Sequence, residues 1–280
     1  MGAVIVSILA FGESSLLLLI AIGSWITLQE YWRLAGIDHR RSDFYLARLG
    51  ELATIVLLFA TWSYRWGALE MLLAVFLPLL FVVQLIARVR GDTTYLRKVA
   101  IVALGVIYIG GFLSFIFKLR NLQIHLEDIG ALEFSRALFK APDMIHFTLF
   151  PVLAAWCCDT AAYFSGKYFG RTKLAPSISP GKTITGLVGG MVGSATGVTL
   201  YAWLIGLVGQ VQVYELIAFG VLAAALSQLG DLTVSAIKRE AQMKDAGRIL
   251  GAHGGMLDRI DGFLFALPAT YIFFLFVLGR

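Results

Sequence analysis

Eight apolar stretches, most of them close to the roughly 20 residues that cross a bilayer as a helix, dominate this chain of 280 residues and leave little room for a soluble fold. They fall at 4–28, 50–64, 68–87, 99–117, 144–164, 184–208, 214–231 and 260–279. None shows the strict alternation of a transmembrane strand, and in lipid an open sheet would leave backbone groups unpaired, so the spans are expected to be helices. Composition agrees: 59% of residues are hydrophobic and 15% charged, against about 25% charged in a soluble domain. The expected fold is all-α, a polytopic membrane protein of eight helices, or nine if the first stretch, interrupted by Gly12, Glu13, Ser14 and Ser15, is two short pieces. That stretch lacks a basic leader and does not read as a cleaved signal peptide.

Charge sets the orientation, because loops rich in Lys and Arg stay cytoplasmic. Alternate loops carry Arg33, Arg40, Arg41 and Arg48; Arg88, Arg90, Arg97 and Lys98; Lys167, Arg171, Lys173 and Lys182; then Lys238, Arg239, Lys244, Arg248 and Arg259. The intervening loops are short or charge-balanced, so both termini are expected outside. The net charge of +5 therefore has a topological cause, and nucleic acid is not an expected partner. Cys157 and Cys158, adjacent within one stretch, read as small packing residues and not as a disulfide or a metal site.

The chemistry is concentrated in the second half. We divide the chain into N-terminal transmembrane helices (1–142) and a C-terminal catalytic region (143–280) with cytoplasmic loops 165–183 and 232–259, together one membrane unit. Gly189, Gly193 and Gly197 lie four apart on one face of a helix, the small-residue spacing that lets two membrane helices approach closely, so packing is the default reading of that stripe.

Ionisable groups at the edge of a span are costly and point to function. Glu30, Asp159, Asp231, Asp258 and Asp261 all fall at the cytoplasmic ends of their spans in this topology. Asp258 and Asp261 are three apart and share a helix face. Their mutual repulsion is relieved either by a divalent cation, for which oxygen-only ligands suit Mg²⁺, or by Arg259 and neighbouring basic groups. From Asp231 to Asp261 the chain interleaves Lys238, Arg239, Lys244 and Arg248 with His253, Gly254 and Gly255, a mixture fit to hold phosphate or to form an ordinary solvated loop.

Ser179-Pro180-Gly181-Lys182-Thr183 precedes the sixth span. It is not a Walker loop, since Pro176 stands where that pattern needs glycine and no strand is expected before it. Hydroxyls and a lysine at a helix N-terminus favour phosphate; the competing reading is an N-cap with a snorkelling lysine.

Taken together, the run SAIKREAQMKDAGRILGAHGGMLDRID from Ser235 to Asp261 resembles the signature of the phosphatidate cytidylyltransferases. DTAAYFSGKYFG from Asp159 to Gly170 and SPGKT from Ser179 to Thr183 are similar to two further blocks of that family, and Glu30-Tyr31-Trp32 resembles a short acidic-aromatic element of its early span. The resemblance implies CMP transfer from CTP to phosphatidate in phospholipid biosynthesis, giving CDP-diacylglycerol and pyrophosphate. It implies Asp231, Asp258 and Asp261 as ligands of Mg²⁺ and of a second cation such as K⁺, with Lys238 and Arg239 also catalytic. Asp159, Tyr163, Ser179, Lys182, Thr183, Lys244, His253, Gly254, Gly255 and Arg259 would bind substrate. It also implies a multi-pass enzyme of the inner (plasma) membrane with its site facing the cytoplasm; a homodimer is compatible with the sequence. Val234 stands where many relatives have an acid and Gly251 where proline is common, which leaves open another acceptor, such as an ether-lipid phosphate or a polyprenol, or a paralogue of weakened activity. A transporter would also carry an intramembrane acid and glycine-rich helices, but here the polar motifs lie in one half and on one side.

Overall fold

The computed structural model of the chain describes residues 13–37, 43–64, 67–89, 94–122, 145–249, 251 and 254–278. The start of the first apolar stretch, most of the loop at 118–143, and His253 lie outside the described residues. Helices account for nearly all the regular structure: α1 (Glu13–Leu34), α2 (Phe44–Tyr64), α3 (Ala68–Val89), α4 (Tyr95–Gly105), which passes through a π-helical segment (Val106–Gly111) into α5 (Phe112–Arg120), α6 (Ile145–Phe169), α7 (Ile184–Leu204), α8 (Val213–Glu240) and α9 (Leu257–Leu278). Among the described residues seven helical segments are long and apolar enough to cross a membrane, and α3 adds a shorter apolar run, Ala68–Val83. The chain is a multi-pass, all-α membrane protein.

Several helices outrun their apolar stretches. Hydropathy reports how much of a helix lies in hydrocarbon, whereas the hydrogen-bond ladder continues into water where nothing breaks it. So α8 extends past Asp231 to Glu240, and Lys238 and Arg239, expected in a loop, occupy its last turn. Likewise α1 runs on to Leu34 and carries Glu30 and Arg33, and α9 begins at Leu257, placing Asp258 and Asp261 at its start.

The expectation that no strand precedes SPGKT is corrected by one further element, too short to leave a pattern in the residues. Lys173–Ala175 (β1) and Ser179–Thr183 (β2) pair antiparallel, so SPGKT is a short strand and not a loop.

Two compact units can be distinguished: Gly12–Lys118 with Ile237–Arg259, and Leu119–Ala236 with Ile260–Arg280. In the latter, α6 and α7 close on each other through small residues. A Cβ on Gly189 would clash with Ser165, one on Gly193 with the Ala161 methyl, and one on Gly197 with the Cys157 sulfur. The expected glycine stripe therefore meets a second four-residue repeat, Cys157, Ala161 and Ser165, running the other way. Both cysteines are free thiols, as expected of packing residues. Gly230 and Gly262 make the same kind of contact between α8 and α9: a Cβ on Gly230 would strike the Asp261 carbonyl, and one on Gly262 would reach the Ser227 hydroxyl at 2.5 Å. Farther along these helices the core is aromatic, with Phe147 and Phe150 each 4.8 Å from Phe274 and Phe219 4.7 Å from Phe273 between ring centres.

Candidate functional site

The hairpin, the C-terminal half of α6, the first turn of α7 and Gln228 and Asp231 within α8 line a cavity of about 520 Å³. Its lining brings together Asp159, Tyr163, Lys182, Thr183 and Asp231, all singled out by the sequence, with Lys167, Lys173 and Gln228, which were not. From the sequence, Lys167 and Lys173 read only as charges that set topology. For Lys167 the available signal is its place in the GKYFG run; Lys173, on a strand with no pattern to read, offers none.

Local structure explains how each group arrives. Thr183 leaves β2 with extended backbone and caps α7, its hydroxyl accepting from the Gly186 N–H at 3.0 Å. It is buried, and Gly166 and Gly170 leave the space it occupies, since a Cβ on either would sit within 3.0 Å of its side chain. The capping reading of this threonine holds. Lys182 does not snorkel away: its ammonium lies 2.7 Å from Asp231 Oδ2 and donates at 3.4 Å to the Gln228 carbonyl. The other Asp231 oxygen accepts from Ser235 at 3.2 Å. Across the cavity, Lys167 lies over the rings of Tyr163 and Tyr168, 5.6 and 5.9 Å from their centres, so its ammonium is held by attraction to two aromatic faces. Three lysines and two aspartates thus share one cavity. Cations in that number suit a polyanion, and the two carboxylates suit a hard cation bound jointly with phosphate oxygens, the manner in which Mg²⁺ is usually held. Ser179 begins β2 and is not among the lining residues.

Asp261 belongs to the same unit, on α9 where it touches Gly230, the residue before Asp231. One Asp261 oxygen accepts from the Gly262 N–H at 2.7 Å. Among the described residues no group of three or more His, Cys, Asp and Glu is assembled to hold a metal ion, so a cation here would complete its coordination with phosphate and water.

The remaining candidates lie in the other unit. Asp258 is nearly buried and fully engaged: Oδ1 pairs with the Lys238 ammonium at 2.6 Å, while Oδ2 accepts from the Ala246 N–H at 2.8 Å and the Gly255 N–H at 3.1 Å. Gly254 has a positive φ of 79°, a conformation that favours glycine, and a Cβ there would come 3.3 Å from Asp258. Lys244 and Arg239 are exposed. Two residues stand out that the sequence reading had not assigned a role. Glu30, 4% exposed, accepts from the Met256 N–H at 3.0 Å and the Leu257 N–H at 2.8 Å, and Arg33 donates to the Ala246 carbonyl.

Residues 1–277 match the cytidylyltransferase family. Among curated proteins, the phosphatidate cytidylyltransferase of Haemophilus influenzae is 40% identical over 132 residues, 46% of this chain and 46% of that protein. The Bacillus subtilis protein of the same name is 33% identical over 207 residues (73% and 68% of the two chains), and that of Thermotoga maritima 33% over 188 (66% and 62%). The matched stretch thus spans from about half to two thirds of the length of these relatives.

Proposed function

The chain belongs to the cytidylyltransferase family, and from that premise we propose that it transfers CMP from CTP to phosphatidate. The observation that carries the reading is the cavity between the hairpin and α6, α7 and α8, where Lys167, Lys173 and Lys182 share a lining with Asp159 and Asp231. A nucleoside triphosphate and a lipid phosphate are both polyanions, and a cavity set into membrane helices can receive one from water and the other from the bilayer.

In the proposed reaction a phosphate oxygen of phosphatidate attacks the α-phosphorus of CTP. A new P–O–P bond forms, the bond from the α-phosphorus to the bridging oxygen breaks, and pyrophosphate leaves with that electron pair. Near neutral pH a phosphate monoester already carries close to two negative charges, so the attacking oxygen needs no strong base and the protein needs no covalent nucleophile. The work left to the residues is to hold two repelling anions in line and to neutralise them. Lys182 and Lys173, beside the N-terminus of α7, are assigned to the triphosphate, with Thr183 keeping that terminus in place. Lys167, fixed over Tyr163 and Tyr168, is assigned to the lipid phosphate. Asp231 and Asp159, the two acids that line the cavity, would hold Mg²⁺, which when bound would offset charge on the separating phosphates, and Asp261 packs against Gly230, the residue before Asp231. Asp258, whose oxygens already take Lys238 and two backbone N–H groups, is assigned to ordering its loop. No ligand set is assigned to a second cation such as K⁺. A homodimer in the inner (plasma) membrane, with the cavity facing the cytoplasm as the Lys and Arg distribution implies, completes the proposal.

Purified protein supplied with Mg²⁺, CTP labelled at the α-phosphate and phosphatidate should form labelled CDP-diacylglycerol and one pyrophosphate per product, and Asp231→Asn should reduce the rate by on the order of a hundredfold. Parallel reactions with an ether-lipid phosphate or a polyprenyl phosphate read the acceptor. Folded protein that transfers CMP to none of these would refute the reading.

A further inference from the structure

We infer that Glu30, at the end of the first described helix, is a positioning residue for the proposed transfer, holding the start of α9 and the loop before it from more than 200 positions away in the chain. The inference rests on the proposed function for its catalytic part and on geometry for the rest.

A helix begins with N–H groups that no residue of its own can accept, and a side chain just before it usually takes one of them. The residues that precede α9 are Gly254, Gly255 and Met256, none of which can do so. Glu30 supplies what is missing, with Oε1 accepting from Met256 and Oε2 from Leu257. A carboxylate at a helix N-terminus also meets the positive end of the helix dipole. The surroundings are shaped to this one group. A Cβ on Gly247 would collide with the Glu30 carboxylate, and a Cβ on Gly255 would come within 2.8 Å of both its oxygens. Neither glycine has a positive φ, so close packing, and not backbone strain, is what excludes a side chain at both: Glu30 crowds Gly247, and at Gly255 the Gly247 backbone nitrogen, 2.5 Å from the added Cβ, does so together with Glu30. One turn on, Arg33 donates to the Ala246 carbonyl, and the Ala246 N–H in turn is bound by Asp258. The last turn of α1 therefore grips three backbone groups of the segment that carries Asp258 and Arg259.

A buried carboxylate so engaged has no oxygen aimed at open space, so its part is to fix others. If it is lost, the orphan N–H groups of α9 seek other acceptors and the helix start shifts. Displacements of about 1 Å far from the reacting atoms can cost on the order of a hundredfold in rate.

The test uses the full chain in detergent. Glu30→Gln keeps the shape but presents an NH₂ to one of two donors, and Gly247→Ala leaves the carboxylate in place and pushes on it. For each, hydrogen exchange of the peptide covering 244–258 is measured beside that of α6 and α7, together with kcat and KM for CTP. Expected are faster exchange confined to 244–258 and a kcat lowered at least tenfold. Faster exchange with kcat within twofold of the parent would overturn the positioning role, and unchanged exchange in both variants would overturn the cap itself. If Glu30→Gln does not fold, Gly247→Ala carries the same two outcomes. Should the parent protein transfer CMP to no acceptor, the proposed function fails, while the exchange measurement still decides whether Glu30 holds the loop.

Discussion

Replacing Gly193 by alanine adds one methyl group where α6 and α7 pack through small residues. The new Cβ would collide with the Ala161 methyl and lie 3.0 Å from the Cys157 carbonyl oxygen. Neither obstacle can turn away, because one is a methyl on Cα and the other is backbone, so the helices must separate. Overpacking of this kind costs about 1–3 kcal/mol. In water the gain in helix propensity from glycine to alanine, about 1 kcal/mol, would offset part of that. In a membrane it offsets little, since a span dissociated from its neighbour stays helical to satisfy its own backbone. We therefore expect Gly193→Ala to lose about 1–3 kcal/mol of stability. Ala161→Gly in the same chain returns the methyl count at the crossing to its original value and should recover most of the loss. Reversible unfolding in mixed micelles, run as a double-mutant cycle, reads the coupling directly. Two effects that simply add, within about 0.5 kcal/mol, would show that the crossing is not tight at Gly193. Activity is expected to fall and recover in parallel, because Gly166 and Gly186 of the same helix pair line the cavity.

Two other outcomes follow from the site and the topology. Lys182→Met removes a charged hydrogen bond worth about 1.5–3 kcal/mol, so kcat/KM for CTP should fall about tenfold to hundredfold, with Lys182→Arg recovering part of it; initial rates that do not change would remove Lys182 from the phosphate site. Because α8 separates Val211 from Ala246, topology reporters fused at these positions should read extracytoplasmic and cytoplasmic respectively, and a common side would break the assigned orientation.

Some of this was legible in the sequence because the signal and the cause are the same thing. The four-residue spacing of Gly189, Gly193 and Gly197 is a property of one helix face, and that face is where α6 lies. Its partner stripe, Cys157, Ala161 and Ser165, could not be picked out, since Ala155, Cys158, Thr160, Ala162 and Gly166 in the same run are equally small. The hairpin was invisible for another reason. Strands of three and five residues, one containing proline and glycine, show no alternation to read. Glu30 is legible as an acid at a membrane edge, but its partners are backbone N–H groups, which every sequence offers alike. Only Gly247 and Gly255 hinted at it, and glycines in a polar loop suggest phosphate as readily as a neighbouring carboxylate.

The same limit bears on the acids. Read from the sequence, Asp231, Asp258 and Asp261 are equivalent carboxylates awaiting a cation, yet the fold gives two of them a lysine: Asp231 takes Lys182 at 2.7 Å and Asp258 takes Lys238 at 2.6 Å. The two pairs differ in what else surrounds them. Side-chain exposure is 12% for Asp258 and 37% for Asp231, and Asp258 has two backbone donors besides its lysine, whereas Asp231 has one hydroxyl and borders a cavity. An ion pair that is closed off and saturated is costly to break, because either partner would be left buried and uncompensated. One at a cavity wall can be opened if an incoming anion takes the ammonium and a cation takes the carboxylate, and the flexible stem of lysine permits that exchange where the planar fork of arginine would resist it. On this ground the proposed chemistry is placed at Asp231 and Lys182, and Asp258 with Lys238 is left the task of keeping the start of α9 in order.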